Sequence, residues 1–167
     1  MKKISLLLAI LMVAVMALGA TAVAETKLGQ AMFPAHGSRA FCIATVAMDG
    51  DVITAALIEE FQFLGEGFEG VPNAENFTNE DGNVLGSKRL NDEAYSANMA
   101  ANGGATQNLV TSYNAIEAFV TGKTVAELEE LIDGKTAEEV VDAVSSSTLT
   151  DTLGYIETII LAAKDAA

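Results

Sequence analysis

The sequence predicts an α+β fold in which a small antiparallel sheet, built on an N-terminal hairpin, is packed by several C-terminal helices. Two observations predict it. Period-two apolar runs flank Asp49-Gly50 in the first half of the chain, and helical-period stripes with two capping boxes fill the second half. Strands early and helices late argue for a segregated α+β unit rather than an alternating βαβ array.

The chain opens with Lys2 and Lys3, a mostly apolar run from Ile4 to Leu18, and Ala22-Val23-Ala24. A basic start, a short apolar stretch and a small-x-small site form a secretory signal, so residues 1–24 are predicted to be removed. The apolar run is shorter than the roughly 20 residues that span a bilayer, and Glu25 and Lys27 follow it without a stop-transfer pattern, so no retained membrane helix is expected. The predicted address is secreted or extracytoplasmic, in a bacterial cell envelope. Residues 25–167 then form a single domain, near the usual size for one core. Cys42 is the only cysteine, so an internal disulfide is excluded.

Removing residues 1–24 takes two of the nine Lys+Arg and none of the 23 Asp+Glu, which leaves a net charge of about −16. Such a field repels nucleic acid and other polyanions and favours basic partners. Oligomeric state is not set by these features.

The first ordered element is Ala40 to Met48, where Phe41, Ile43 and Thr45 alternate with Cys42, Ala44 and Val46. Asp49-Gly50 follows, with positive φ expected at both of these positions, and then Val52 to Phe63; together they form a hairpin. Both of its faces are largely apolar, so covering layers are expected on each. From Gly65 to Gly86 the chain is polar and glycine-rich without periodicity, a long loop of the kind that covers ligand sites.

Helices account for the rest. Asn91 caps a helix to about Ala101 that places Tyr95 and Met99 on one face, and Leu109, Tyr113, Ile116, Phe119 and Val120 form the stripe of the next. Thr124-Val125-Ala126-Glu127 and Thr136-Ala137-Glu138-Glu139 are capping boxes, with Gly134 between them as a C′ residue. Gly103-Gly104-Ala105-Thr106 is predicted to open a helix. The last helix starts near Thr150 or Asp151 and buries Leu153, Ile156, Ile159, Ile160 and Ala163.

Three segments carry a resemblance: Met48-Asp49-Gly50-Asp51, the run from Arg89 through Asn91 and Tyr95 to Met99, and Asp142 to Thr148 with Asp151-Thr152 after it. In this order they resemble the FMN-binding domain of exported bacterial electron-transfer flavoproteins, including the pheromone-lipoprotein type. The likeness spans most of residues 40–165, and its chemically specific part is the last segment. In that family the signature reads Asp-x-x-Ser/Thr-Gly-Ala-Ser/Thr, and its final hydroxyl is esterified to the phosphate of FMN by a dedicated flavin transferase. The resemblance therefore implies FMN attached through Thr148 on an exposed bend, with Asp142 and Ser145 shaping the turn and Tyr95 and Met99 contacting the ring. It also implies a flavin transferase and a redox partner, and a carrier or binding protein rather than a turnover enzyme.

The chain departs from that signature at Ser146 and Ser147, which stand where the family has Gly-Ala. A serine where glycine supplied positive φ costs about 1–2 kcal/mol. Ser147 adds a hydroxyl where a methyl would pack. Neither change removes the nucleophile. Two readings remain open: a flavin carrier for extracellular electron transfer, or a cofactor-less secreted binding or cell-surface interaction module of the same fold, for which the Ser/Thr-rich segment is a capping linker.

Other chemistries find little support. His36 is the single histidine, so the serines lack an evident partner base, and one His with one Cys gives no zinc spacing. His36 is read first as a hydrogen-bonded structural residue and second as a ligand-site or pH-sensing residue. The adjacent cations Lys88 and Arg89 are read as solvated loop charges, with contact to a phosphate or carboxylate as the second reading.

Overall fold

The computed structural model describes residues 25–72, 77–144 and 147–167. The segment read as a signal sequence lies outside these residues. Four strands, β1 (Lys27–Phe33), β2 (Ala40–Asp49), β3 (Val52–Leu64) and β4 (Val84–Ser87), form one antiparallel sheet in the order β1-β2-β3-β4. A short 3-10 turn, Gly37–Arg39, links the first two. Five helices follow: α1 (Asp92–Gly103), α2 (Leu109–Val120), α3 (Val125–Ile132), α4 (Ala137–Ala143) and α5 (Thr152–Asp165). The α+β class and its strands-then-helices order are as the sequence predicts. None of the described helices is long and apolar enough to cross a membrane.

The β2–β3 hairpin forms with Asp49 paired to Val52, so its central residues are Gly50 and Asp51, one place later than expected. Gly50 takes a φ of 61°, in the region where a side chain is strained. A register shift between Ala47 and Met48 adds a bulge beside the turn. Both capping boxes are present: the hydroxyls of Thr124 and Thr136 accept from the amides of Glu127 and Glu139, whose carboxylates accept in return from the threonine amides. Gly134 has a φ of 66° directly after the α3 C-cap, as its C′ assignment requires.

Four expectations are corrected. β1, unannounced by any alternation, pairs with β2 along its whole length. The glycine-rich segment after Gly65 ends in a strand, β4, because Val84 to Leu85 pair with Leu64 and Phe63 at the edge of β3. Gly104 ends α1 with a φ of 67° instead of opening α2. Only one face of the hairpin is covered: Cys42, Ala44, Val46, Ile53 and Ile58 point inward and are buried, while Leu57 and Phe63 on the other face are exposed.

The inward strand positions meet Leu109, Tyr113, Ile116 and Val120 of α2, Leu128 of α3, Val140 of α4, and Ile156, Ile159, Ile160 and Ala163 of α5 in one core. Each of the fully buried aliphatic side chains contributes about 1.5–3 kcal/mol by leaving water. α5 lies directly on β1. A Cβ at Gly29 would sit 2.0 Å from the carbonyl oxygen of Ala162 and 2.8 Å from the Ala166 methyl, so glycine is what lets the helix settle. The free edges of the sheet are occupied by side chains: Asp165 accepts from the Gln30 amide of β1, and Glu117 accepts from the Ile58 amide of β3.

Gly29→Ala is expected to push α5 off the sheet and lower stability by about 1–3 kcal/mol, the range for overpacking a tight contact. Urea unfolding of the two proteins measures this directly.

Candidate functional site

A cavity of about 290 Å³ opens between α1, the α1–α2 connection and the residues that lead into α5. Tyr95 and Met99, one helical turn apart, line it from α1; Leu109 lines it from α2; Thr148 and Asp151 line it from the α4–α5 connection; Lys88 and His36 complete its polar side. Its volume is at the lower end of the roughly 300–1,000 Å³ of small-molecule sites. A larger groove of about 720 Å³, open to solvent between Phe33, Ile132 and Ile160, includes none of the candidate site residues named from the sequence.

Thr148 is held by a short chain of local bonds. The Ser147 amide bonds the Val144 carbonyl, and the Ser147 hydroxyl lies 3.0 Å from that of Thr152, which in turn donates to the Leu149 carbonyl. The Ser147 hydroxyl is thus satisfied within the connection, and Ser147 is not among the residues that line the cavity. The Thr148 amide reaches the Ser112 hydroxyl of α2 at 3.5 Å. The Oγ1 of Thr148 is buried and has no hydrogen-bond partner, one of two such side-chain atoms among the described residues. This corrects the exposed bend that the resemblance implies: Thr148 lines the cavity, but its hydroxyl oxygen is shut off from solvent.

His36 sits at the rim, its Nδ1 2.5 Å from an Asp151 carboxylate oxygen. Asp151 is the N-cap residue of α5, yet its side chain makes no cap bond because it turns to His36. A second glycine permits this closeness. A Cβ at Gly154 would lie 2.7 Å from the Ala35 carbonyl oxygen, so the first turn of α5 presses on the residue before His36.

The cavity floor is a buried polar cluster. Lys88 Nζ lies 2.6 Å from Glu60 Oε2, with both side chains removed from solvent. Tyr113 and Tyr155 donate their phenol hydroxyls to the same oxygen at 3.0 and 2.6 Å. The ammonium also lies 4.9 Å from the centre of the Tyr95 ring. Glu60 Oε1 is the other buried atom without a partner. Burial, and then the Glu60 carboxylate, push the Tyr113 phenol well above its ordinary range; burial, Tyr113 and Glu60 do the same to Tyr155. Burial and Glu60 push the Cys42 thiol up to about 12. Arg89 pairs with Glu117 and donates through Nε to the Ile58 carbonyl. Both cations read as solvated are therefore structural.

Of the predicted site residues, the fold brings Thr148, Tyr95 and Met99 to one cavity. Ser147 supports Thr148 from behind. Asp142 is exposed near the end of α4 and does not line the cavity. Ser145 and Ser146 lie outside the described residues. Lys88, His36 and Asp151 are the additions, and their sequence signal was faint: a basic pair and a lone histidine. None of the described residues of the 65–86 loop lines the cavity; the Asn91 side chain pins the loop at Glu69, through both amide and carbonyl. Among the described residues no group of three or more His, Cys, Asp or Glu side chains is placed to hold a metal.

Comparisons with protein-family models, with curated proteins and with solved structures gave no match for this chain.

Two predictions follow from the buried cluster. Lys88→Met alone strands the Glu60 carboxylate and is expected to cost about 3–5 kcal/mol, whereas adding Glu60→Gln recovers most of the loss; a double-mutant cycle in urea measures both. Tyr113 and Tyr155 have folded-state values raised above the unfolded value near 10, so the stability they contribute is complete below that pH and is lost as pH rises above it. An ultraviolet alkaline titration should show two of the three tyrosines ionising only as the protein unfolds, with Cys42 becoming reactive to thiol reagents in the same transition.

Proposed function

We propose that this chain is an exported carrier of covalently attached FMN, with the flavin phosphate esterified to Thr148, that takes part in electron transfer outside the membrane. The observation that carries this reading is that Thr148 lines one cavity with Tyr95 and Met99 while its Oγ1 is buried without a hydrogen-bond partner. A buried hydroxyl without a partner costs about 1–3 kcal/mol. An ester oxygen has no proton to donate, so attachment relieves part of that cost.

The residues present suit the group. Tyr95, Met99 and Leu109 offer an aromatic and apolar wall for a ring system, while the Lys88 ammonium beside them is already paired with Glu60. FMN, when bound, supplies one- and two-electron redox chemistry; the chain's own residues bind it, orient it and limit water. With a flavin dinucleotide as donor, attachment forms the bond from Thr148 Oγ1 to the flavin phosphorus, breaks the pyrophosphate phosphorus–oxygen bond, and releases the nucleoside monophosphate and the hydroxyl proton. Because Oγ1 is enclosed, a flavin transferase must act before the α4–α5 connection packs, or after it opens. A covalent tether suits an exported carrier, since a freely exchanging cofactor is lost by dilution. The acidic surface favours a basic redox partner.

The enclosed hydroxyl also favours the second reading, a cofactor-less exported binding or interaction module whose cavity takes a small ligand without a covalent bond. Coexpression with a flavin transferase separates the two. The carrier gains the mass of FMN less one water and a flavin absorbance spectrum; Thr148→Ala abolishes both, and Thr148→Ser retains them. A colourless product of unmodified mass overturns the carrier reading.

A further inference from the structure

The groove of about 720 Å³ between α3, α5 and the end of β1 shares no residue with the Thr148 cavity. Its floor is apolar: Phe33 at the end of β1, Ile132 at the end of α3, and Ile160 and Leu161 on α5, the last of them 42% exposed. Its banks are acidic. Glu129, Glu130 and Asp133 stand at the end of α3, and Glu157 stands on α5. Four of the nine lining residues therefore carry carboxylates and none carries positive charge, against 23 Asp+Glu in 167 residues, so the groove concentrates negative charge beyond the general acidity of the chain.

A second observation comes from α3 itself. The C-terminal end of a helix carries partial negative charge and is stabilised by cations. The last turn of α3 has no basic residue; it holds Glu129 and Glu130, with Asp133 as the C-cap residue. Among the described residues Lys164 answers Glu129 at 2.6 Å, whereas Glu130, Asp133 and Glu157 form no ion pair. The repulsion left at this helix end is relieved by positive charge brought from outside the chain.

We propose that the groove docks a basic amphipathic helix of a partner protein, with aliphatic side chains at i, i+3, i+4 and i+7 on the floor and flanking Lys or Arg on the carboxylates. Shape supports a peptide over a small molecule, because small-molecule sites enclose most of their ligand and this groove is open to solvent. Charge disfavours a second copy of so acidic a chain. Flavin attachment plays no part in the proposal, so the unmodified protein serves for its test.

The probe is a labelled synthetic peptide of about 18 residues, with leucines repeating at helical spacing and lysines elsewhere, followed by fluorescence anisotropy. A saturable complex is expected, with a dissociation constant on the order of 10 μM or tighter at physiological salt, weakening as salt rises. A peptide of the same composition with its leucines spread around the helix should bind at least about tenfold more weakly. Glu130→Lys with Asp133→Lys, and separately Leu161→Ser, should each weaken the complex at least about tenfold. Glu80→Lys with Asp81→Lys, the same charge change on the exposed loop before β4, should leave it within about twofold. Reversal at Glu130 and Asp133 also supplies cations to the end of α3, so the melting temperature should hold or rise, which separates lost docking from lost folding. A lower melting temperature overturns the charge argument and the proposal with it. Absence of saturable binding up to about 100 μM, equal binding of the redistributed peptide, equal loss in the loop reversal, or binding that survives both groove variants overturns it as well. A dimer of the protein alone that Leu161→Ser dissociates assigns the groove to a second copy and counts equally against it. If Leu161→Ser fails to fold, the reversal at the exposed Glu130 and Asp133 decides alone.

Discussion

Glu60 is the point at which four elements are tied together. It sits in the middle of β3, and its Oε2 receives the Lys88 ammonium just beyond β4, the Tyr113 hydroxyl of α2 and the Tyr155 hydroxyl of α5. Removing a carboxylate and an ammonium from water is expensive, and the pair repays it only when further hydrogen bonds complete the geometry. Two phenols supply them at Oε2, while Oε1 is left without a partner. In a chain with 23 acidic and nine basic residues, one lysine committed to the interior is a substantial share of the positive charge. Its position is specified by both partners, because a second carboxylate or a missing phenol would leave a buried group unmet.

That cluster explains why the cavity has a fixed floor. Lys88 and Tyr155 are held by Glu60 from below, so their cavity-facing atoms cannot relax toward solvent. Tyr155 also fixes the start of α5, which Gly154 allows to press on the backbone at Ala35. The connection carrying Thr148 ends at that same helix start. The geometry of the hydroxyl is therefore inherited from the core and not from its own flexible-looking sequence. The Ser147 to Thr152 contact adds a local brace between the two.

How much of this is legible in the sequence depends on the distance over which each feature is determined. The capping boxes are written in four residues and form as written. The hairpin is written in two alternating runs and a glycine, and only its turn is displaced by one place. β1 escapes because its pattern is inverted: Gly29 and Ala31 face the helix, and Leu28 and Met32 face outward. Alternation read as large-apolar-inward misses a strand whose inner side must be small. Lys88 escapes for a different reason, since nothing local announces that Glu60, 28 residues earlier, lies opposite it in a neighbouring strand. For the site, the resemblance singles out Thr148, Tyr95 and Met99, which meet, and Asp142, which stays apart at the surface. The burial of the Thr148 hydroxyl is a tertiary fact, set by Ser112 of α2 and by α5 together.

The inversion on β1 links the two surfaces of the molecule. Close approach of α5 demands glycine at position 29. The large apolar residues that flank Gly29 and Ala31, Leu28 and Met32, sit on the outer side, where they join Leu57 and the phenylalanines of β2 and β3, and only Phe33 at the strand end returns to the helix side. The cavity, by contrast, is built from helices and connections on the inner side of the same sheet.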